Sequence, residues 1–249
     1  MNIAVITGAS SGLGKFYVEA VAKENYDEIW IIARRKEILE KIAESNKKIK
    51  VLALDLTSEA DLEAYKNELQ NSNANVKLLV NNAGFGKLGD FDAMAQRDCC
   101  GMVDLNCKAL TLMTNITLAF MQEKSEIINI CSIAAFAPNP RMAVYSSTKA
   151  YVFSFPKALR EELKKRKINV MAVCPGPRDT EFLALADIAP GASHTFDSLP
   201  RVNPNKIAYK SLKKSKKGNA VYTESPFYKL YRNLGKLLPH NLVMKMSKT

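Results

Sequence analysis

The stretch Thr7-Gly8-Ala9-Ser10-Ser11-Gly12-Leu13-Gly14 constrains the fold of this chain more than any other part of the sequence. It follows residues 3–6, a short apolar run rich in β-branched side chains that is typical of a buried strand. Residues 15–23 after it carry apolar side chains at helical spacing. A strand, a glycine-rich turn and a helix in this order form a phosphate-binding unit, because glycines admit an anion to the backbone and the helix N-terminus presents N–H groups. The alternative is a tight turn in another kind of α/β protein.

Short apolar runs alternate with helical patterns along most of the chain. The further predicted strands are residues 28–33, 50–54, 76–80, 127–131, 168–174 and 220–223. The further predicted helices include residues 36–45, a segment from Thr57 or Ser58 through Leu69, and residues 97–124 and 144–165. This alternation predicts an α/β fold with a single Rossmann-type, doubly wound parallel sheet of about seven strands and helices on both faces.

The chain shows no composition break or Gly/Ser linker. We therefore predict a catalytic domain over residues 1–224, with a substrate loop at about residues 180–205. A basic amphipathic tail over residues 225–249 is expected to belong to the same domain or to contact an oligomer partner or a membrane. The chain enters its first strand at once and has no apolar run of about 18 residues, so we expect a cytoplasmic protein without a targeting segment.

Cysteines and histidines give no pattern typical of a metal site. The five cysteines lack Cys-x-x-Cys spacing and only two histidines are present. We therefore predict no bound metal, and we expect reduced thiols that are mostly buried.

The end of the second predicted strand distinguishes between the two nicotinamide cofactors. Arg34 and Arg35 follow that strand, and the first carboxylate is Glu37. NAD enzymes usually place an acid here to bind the ribose 2′-hydroxyl, whereas guanidinium groups bind the 2′-phosphate of NADP. The residues favour NADP(H). The alternative is a pair of solvated arginines at the start of a surface helix.

A candidate acid–base pair lies on a single predicted helix. Tyr145 and Lys149 are four residues apart and so share a face. A phenol titrates near ~10 in water, and a neighbouring ammonium lowers its pKa toward neutral pH. Ser132 ends the preceding strand and can donate to a carbonyl oxygen in the same space. Asn106 lies among apolar helical neighbours, where an amide is by default a packing residue.

Taken together, these motifs resemble the short-chain dehydrogenase/reductase family, NADP-preferring type, along nearly the whole chain. The motifs occur in the family's order and spacing: Thr7-Gly8-x-x-x-Gly12-x-Gly14, Asp55-Leu56, Asn81-Asn82-Ala83-Gly84, Asn106, Ser132, Tyr145-x-x-x-Lys149 and Pro175-Gly176. The resemblance implies that Tyr145 is the general acid/base and that Ser132 holds the substrate oxygen. It also implies that Lys149 binds the nicotinamide ribose, while Asn106 supports a water relay to Lys149.

The resemblance further implies a set of cofactor-binding residues. They are Gly8, Ser10, Ser11, Gly12, Leu13, Gly14, Arg34, Arg35, Asp55, Leu56, Asn82, Ala83, Gly84, Tyr145, Lys149, Pro175, Gly176 and Thr180. The pair Arg178-Asp179 departs from the small or neutral residues that relatives often carry before the threonine. This departure is expected to alter how the substrate loop closes, and it leaves the catalytic residues intact.

The predicted activity is NADP(H)-dependent reduction of a ketone or aldehyde, or oxidation of the secondary alcohol. Apolar residues of the loop, with Phe85, Phe136 and Pro138, are expected to wall a pocket for a steroid, bile acid or acyl-type substrate, unless they are ordinary packing. The alternative function is a non-catalytic NADPH-binding regulator or a membrane-surface interaction protein. Such a protein is expected to lose Tyr145, Lys149 or Ser132.

The net charge of +11 is concentrated at the C-terminus. Residues 201–249 contain twelve Lys or Arg against one acid, Glu224. Phe227, Tyr231, Leu234 and Leu238 there share helical spacing. Three interpretations stay open: a helix docked on the body or a partner subunit, a membrane-surface anchor, or a solvated segment. No nucleic-acid partner is expected, since no binding motif accompanies the charge. By family analogy we expect a homodimer or homotetramer.

Overall fold

The computed structural model describes residues 1–177 and 198–246. Its described strands form one parallel sheet with the order β3-β2-β1-β4-β5-β6-β7. The strands are β1 (Asn2–Thr7), β2 (Glu28–Ala33), β3 (Ile49–Ala53), β4 (Asn75–Asn81), β5 (Glu126–Ile130), β6 (Asn169–Val173) and β7 (Val221–Tyr222). The predicted fold class is confirmed.

Helices cover both faces of this sheet. They are α1 (Gly12–Val21), α2 (Lys36–Ala43), α3 (Glu59–Asn71), α4 (Gln96–Val103), α5 (Leu110–Leu118), α6 (Ala143–Glu162), α7 (Pro204–Lys216), α8 (Pro226–Leu237) and α9 (His240–Met246). Alternate residues of β1 enter different cores: Ala4 and Ile6 pack with α1, α7 and α8, whereas Ile3 and Val5 pack with α3 and α5. Both faces are buried, which explains why the central strands are mainly apolar.

The predicted single helix over residues 97–124 is wrong in two respects. It is divided into α4, a π-helical segment at Asp104–Ala109 and α5, which ends at Leu118. The π-helical segment contains Asn106, whose side chain is bonded outside the helix. The chain leaves α5 early because the carbonyl oxygen of Phe120 accepts from the N–H of Val76 in β4.

The strand order places the functional motifs at one point. β1 lies between β2 and β4. Strands β2 and β3 extend the sheet to one side of β1, and strands β4 to β7 extend it to the other, so the strand order reverses beside β1. Ligands of open parallel sheets bind beyond the carboxyl ends of the strands at such a switch point. The turn from β1 to α1 and the segment after β4 both lie there.

The tail docks on the body through α8. Tyr228 is fully buried, and Gly235 lies so close to Phe136 that a Cβ there would be 2.5 Å from the Phe136 carbonyl oxygen. Of the four apolar residues at helical spacing in the predicted tail, Phe227 and Leu234 are exposed. Glycine at 235 permits the close approach of α8 to the body.

Within residues 1–177 and 198–246, no helix has the length and apolar character to span a bilayer. All five cysteines are free thiols. The prediction that they are mostly buried is wrong: Cys131 and Cys174 are buried, Cys99 and Cys107 are half-buried, and Cys100 is exposed. The last three lie on α4 and the π-helical segment, which have a solvent-facing side.

Candidate active site

The turn between β1 and α1 has the shape of an anion cradle. Gly8 and Gly12 have φ of +63° and +52°, a left-handed region that favours glycine. A Cβ on Gly14 would lie 2.2 Å from the Gly8 carbonyl oxygen. Helix α1 begins at Gly12, and the Ser11 side chain accepts no capping hydrogen bond from the described residues. The first N–H groups of α1 are therefore available to a phosphate, and the turn fits a dinucleotide.

Thr7 and Asn82 hold this turn against the end of β4. The Thr7 hydroxyl accepts from the N–H groups of Asn82, at 2.9 Å, and Ala83, at 3.0 Å. The Asn82 Nδ2 donates to the carbonyl oxygens of Thr7 and Gly8 at 3.0 and 3.1 Å. Both residues thus fix the backbone on which Gly8 and Gly12 depend. Thr7 was not among the predicted site residues.

A second polar link joins the end of β4 to α5 and β5. The Asn81 Nδ2 donates to the Thr114 hydroxyl at 2.9 Å and to the Asn129 Oδ1 at 3.0 Å. All three side chains are buried. The signals in the sequence are Asn81 at the end of the apolar run in β4 and Asn129 within the apolar run in β5.

The two arginines after β2 differ in their contacts. Arg35 donates from Nη2 to the Ser10 carbonyl oxygen at 3.3 Å and to the Ser10 hydroxyl at 3.2 Å. Its guanidinium therefore lies over the glycine-rich turn. Arg34 is exposed and approaches the Asp55 carboxylate at 3.9 Å. Both positive charges lie directly after β2, beside the glycine-rich turn.

Asp55 is held by the start of the segment leading to α3. Its Oδ1 accepts from the Thr57 N–H at 2.9 Å and from the Thr57 hydroxyl at 2.7 Å. Burial raises the pKa of Asp55, but the Thr57 hydrogen bonds and the Arg34 charge outweigh it, so the net pKa is lowered. Leu56 is buried beside it. Asp55 is thus an anion at neutral pH, available to accept hydrogen bonds.

Ser132, Tyr145 and Lys149 lie beyond the end of β5. Tyr145 and Lys149 are buried on α6, with the Lys149 Nζ 5.7 Å from the Tyr145 ring centroid. The Nζ also donates to the Ile130 carbonyl oxygen at 3.0 Å. The Ser132 hydroxyl caps the following 3-10 turn by accepting from the Ala134 N–H at 3.1 Å. This bond uses the hydroxyl as an acceptor and leaves its hydrogen able to donate.

Asn106 links the segment after β4 to α6. Its Nδ2 donates to the Phe85 carbonyl oxygen at 2.8 Å and to the Thr148 hydroxyl at 3.0 Å. Its Oδ1 accepts from the Phe85 N–H at 3.0 Å. A Cβ on Gly84 would lie 2.7 Å from that oxygen. The described contacts of Asn106 are therefore structural, and the predicted water relay to Lys149 stays a prediction.

An apolar group surrounds the Tyr145 ring. Gly86 lies against it, since a Cβ there would be 2.6 Å from Tyr145 Cδ2. The other members are Phe85, Leu88, Met94, Met102, Ala134, Met142 and Val144. Of the predicted pocket walls, Phe85 belongs to this group, Pro138 is exposed, and Phe136 is buried beneath α8. Tyr231 and Gly235 pack against Phe136, and its place in a pocket with the substrate loop stays a prediction.

Pro175 and Gly176 follow β6 and lie under the tail helix. The Pro175 carbonyl oxygen accepts from the Ile133 N–H, beside Ser132. A Cβ on Gly176 would be 2.3 Å from the Tyr228 ring. Thr180, the Arg178-Asp179 departure and most of the predicted substrate loop lie outside the described residues.

The comparisons with known proteins identify the family. The sequence model of the short chain dehydrogenase family matches residues 2–188. The chain belongs to the short-chain dehydrogenase family. Its fold, glycine cradle and Ser132, Tyr145 and Lys149 are the features that the resemblance implied.

Relatives of this short-chain dehydrogenase include proteins named as reductases. An uncharacterized oxidoreductase of Staphylococcus epidermidis is 31% identical over 185 residues, covering 72% of this chain and 79% of that protein. The very-long-chain 3-oxoacyl-CoA reductase of Bos taurus is 33% identical over 187 residues, covering 69% of this chain and 58% of that protein.

Two solved structures share both fold and sequence. A short-chain dehydrogenase from Sphingobium yanoikuyae in complex with NADPH has a TM-score of 0.78 and 27% identity, over 96% of this chain and 97% of that one. A 3-ketoacyl-(acyl-carrier-protein) reductase from Brucella melitensis complexed with NADH has a TM-score of 0.78 and 28% identity, over 90% of this chain and 96% of that one.

Proposed function

We propose that this chain is an NADP(H)-dependent oxidoreductase that reduces a ketone or aldehyde, or oxidises the corresponding secondary alcohol. The observation that carries the proposal is the burial of Tyr145 and Lys149 side by side, with Ser132 two residues beyond the end of β5. When bound, the nicotinamide supplies or accepts the hydride.

Tyr145 is the proposed general acid/base. Its phenol donates a proton to the carbonyl oxygen as negative charge develops there, and it takes the proton back in the oxidative direction. The Lys149 ammonium, close to the ring, stabilises the phenolate form that this exchange requires. Burial of both residues strengthens the interaction between them, because little water screens it.

Ser132 is the proposed second donor to the substrate oxygen. Its hydroxyl oxygen already accepts from the Ala134 N–H, which fixes the rotamer and leaves the hydroxyl hydrogen to donate. Ser132 and Tyr145 together form a side-chain oxyanion hole, which stabilises charge that appears only during the reaction.

NADP(H) is the proposed cofactor. The support is the pair of cations at the end of β2, with Arg35 bonded to Ser10 over the turn. A 2′-phosphate at this position gains charge-assisted hydrogen bonds from guanidinium groups. The NADPH complex of the Sphingobium relative agrees with this choice, whereas the Brucella relative was solved with NADH.

A hydrophobic carbonyl compound is the proposed substrate: a steroid, a bile acid or an acyl derivative. The support is the apolar group around the Tyr145 ring, including Phe85, Met94 and Met142. Two relatives are named for 3-oxoacyl substrates. The test is NADPH consumption with ketosteroids, bile acids, acyl thioesters and small aldehydes. Turnover confined to small aldehydes would contradict the substrate class.

We also propose a homodimer or homotetramer formed through α5 and α6. Tyr151 is exposed on α6, where it stacks on Phe155 and bonds the Thr111 hydroxyl of α5. An ordered, exposed aromatic residue of this kind is typical of interfaces. Sedimentation of the wild type and of Tyr151→Lys tests this, with a monomeric wild type as the contradicting result.

A further inference from the structure

The outer side of α8 carries an apolar stripe. Phe227, Leu230, Leu234 and Leu237 recur every three or four residues and therefore share one side of the helix. All four are exposed, Leu230 to 58% and Leu237 to 78%. Leu242 on α9 is exposed as well. A stripe of this length on a surface helix is a feature that requires a partner.

The opposite side of α8 fixes the direction in which the stripe faces. Tyr228 is fully buried, and its hydroxyl donates to the Pro200 carbonyl oxygen at 2.7 Å. The Tyr231 ring packs 5.9 Å from the Phe136 ring, and Gly235 contacts the Phe136 backbone. With this side held by the body, α8 presents the stripe outward.

The charge beside the stripe is uniformly positive. Residues 225–249 contain five Lys or Arg and no Asp or Glu. Lys229 and Lys236 are exposed on α8, and Lys245 is exposed on α9. Apolar side chains flanked by cations along a helix are the arrangement that binds the interface of an anionic bilayer.

A second copy of the chain fits this surface less well. In a two-fold symmetric contact the same patch faces itself, so the lysines of one copy would approach those of the other. With no carboxylate in residues 225–249 to offset them, that contact brings like charges together. Anionic lipid headgroups have the opposite charge.

We infer that α8 is a membrane-surface helix, which lies flat on an anionic bilayer with its four apolar side chains in the acyl–headgroup boundary. Lys229, Lys236 and Lys245 bind the headgroup phosphates or carboxylates. The inference concerns binding alone and does not depend on the proposed catalytic activity.

The test is flotation of the full-length protein with vesicles of phosphatidylcholine, with and without phosphatidylserine. The wild type is expected to float with the phosphatidylserine vesicles and less well without that lipid. The double variant Leu230→Gln/Leu237→Gln is expected to reduce the vesicle partition coefficient by at least about tenfold, since each leucine loses burial in the acyl region. Lys229→Gln/Lys236→Gln is expected to remove most of the dependence on phosphatidylserine.

Tyr209→Gln is the matched control, because Tyr209 on α7 is exposed to the same 58% as Leu230. It is expected to float like the wild type. Thermal unfolding and NADPH binding of every variant establish that the body is intact. A wild type that stays at the bottom with both vesicle types, or a Leu230→Gln/Leu237→Gln variant that floats like the wild type, would overturn the inference. So would a wild type that binds both vesicle types equally, whatever its activity.

Discussion

The Asn106 carboxamide closes two hydrogen bonds with the backbone of Phe85, donating to its carbonyl oxygen at 2.8 Å and accepting from its N–H at 3.0 Å. A third bond reaches Thr148, whose hydroxyl donates to the Tyr145 carbonyl oxygen at 2.8 Å. One buried amide thus connects the segment after β4 to the helix that carries Tyr145 and Lys149.

Asn106→Leu is expected to lower the free energy of unfolding by about 3 kcal/mol, because several buried polar groups lose their partners together. Thr148→Val removes the bond from Asn106 and the bond to the Tyr145 carbonyl oxygen but keeps both bonds between Asn106 and Phe85, so it is expected to cost less, about 1–2 kcal/mol. Urea denaturation of both variants measures the difference. An Asn106→Leu protein as stable as Thr148→Val would contradict the central position assigned to the carboxamide.

Arg35→Ala is expected to raise the Kd for NADPH by about tenfold to a hundredfold, since a charge-assisted contact to the 2′-phosphate is lost. The Kd for NADH, which lacks that phosphate, is expected to change little. Fluorescence titration with both cofactors measures the two constants, and Lys36→Ala is the control for loss of a nearby positive charge. Equal weakening of both cofactors would show that Arg35 only supports Ser10.

Gly14→Ala is expected to destabilise the fold by about 3 kcal/mol, because its Cβ would lie 2.2 Å from the Gly8 carbonyl oxygen. Gly218→Ala serves as the comparison. Gly218 has φ of +75° but no atom within 4 Å of a Cβ among the described residues, so only backbone strain of about 1 kcal/mol is expected. Thermal unfolding ranks the two variants. A smaller effect at Gly14 would mean that the cradle is less closely packed than described.

Glu126→Gln is expected to stabilise the protein at pH 7. Burial, with the Glu24 charge, raises the pKa of Glu126 above 4.5 despite a Ser215 hydrogen bond and the Lys216 charge. One carboxylate oxygen is buried without a hydrogen-bond partner among the described residues. The folded state therefore holds the proton more tightly than the unfolded state, and stability is lost as the pH rises through the folded pKa.

Urea denaturation of wild type and Glu126→Gln at pH 4 and pH 7 measures this effect. The two proteins are expected to differ at pH 7 and to converge at pH 4, below both pKa values. Glu123→Gln is a control in which the pKa shift has the opposite direction, because a hydrogen bond from Lys167 lowers the pKa of Glu123. A gain in stability that persisted at pH 4 would assign the effect to packing.

Much of the fold and the site was predictable from local sequence. The apolar runs fixed the strands, since burial on both faces of a parallel sheet requires them. Gly8 and Ser132 follow strand ends, so a parallel sheet gathers them at one edge. The strands and this edge needed only periodicity and the order of the elements, whereas the roles of Ser132, Tyr145 and Lys149 came from the family resemblance.

The remaining features depend on contacts between distant parts of the chain. The apolar pattern over residues 97–124 is continuous, and nothing local marks the π-helical segment where Asn106 contacts Phe85. The docked side of α8 is set by Gly235, whose missing side chain admits the Phe136 backbone. Hydrophobic periodicity gives glycine no weight, so it could not decide which side of the tail helix docks on the body.

The measurement that tests the central claim most directly is turnover of Tyr145→Phe, together with its affinity for NADPH. Phenylalanine keeps the ring that packs against Gly86 and removes only the hydroxyl. The rate of NADPH oxidation with a carbonyl substrate of the wild type is expected to fall by at least about a hundredfold, the usual loss of a general acid. The Kd for NADPH is expected to stay near the wild-type value. A Tyr145→Phe protein that turns over at close to the wild-type rate would contradict the assignment of Tyr145 as the proton donor.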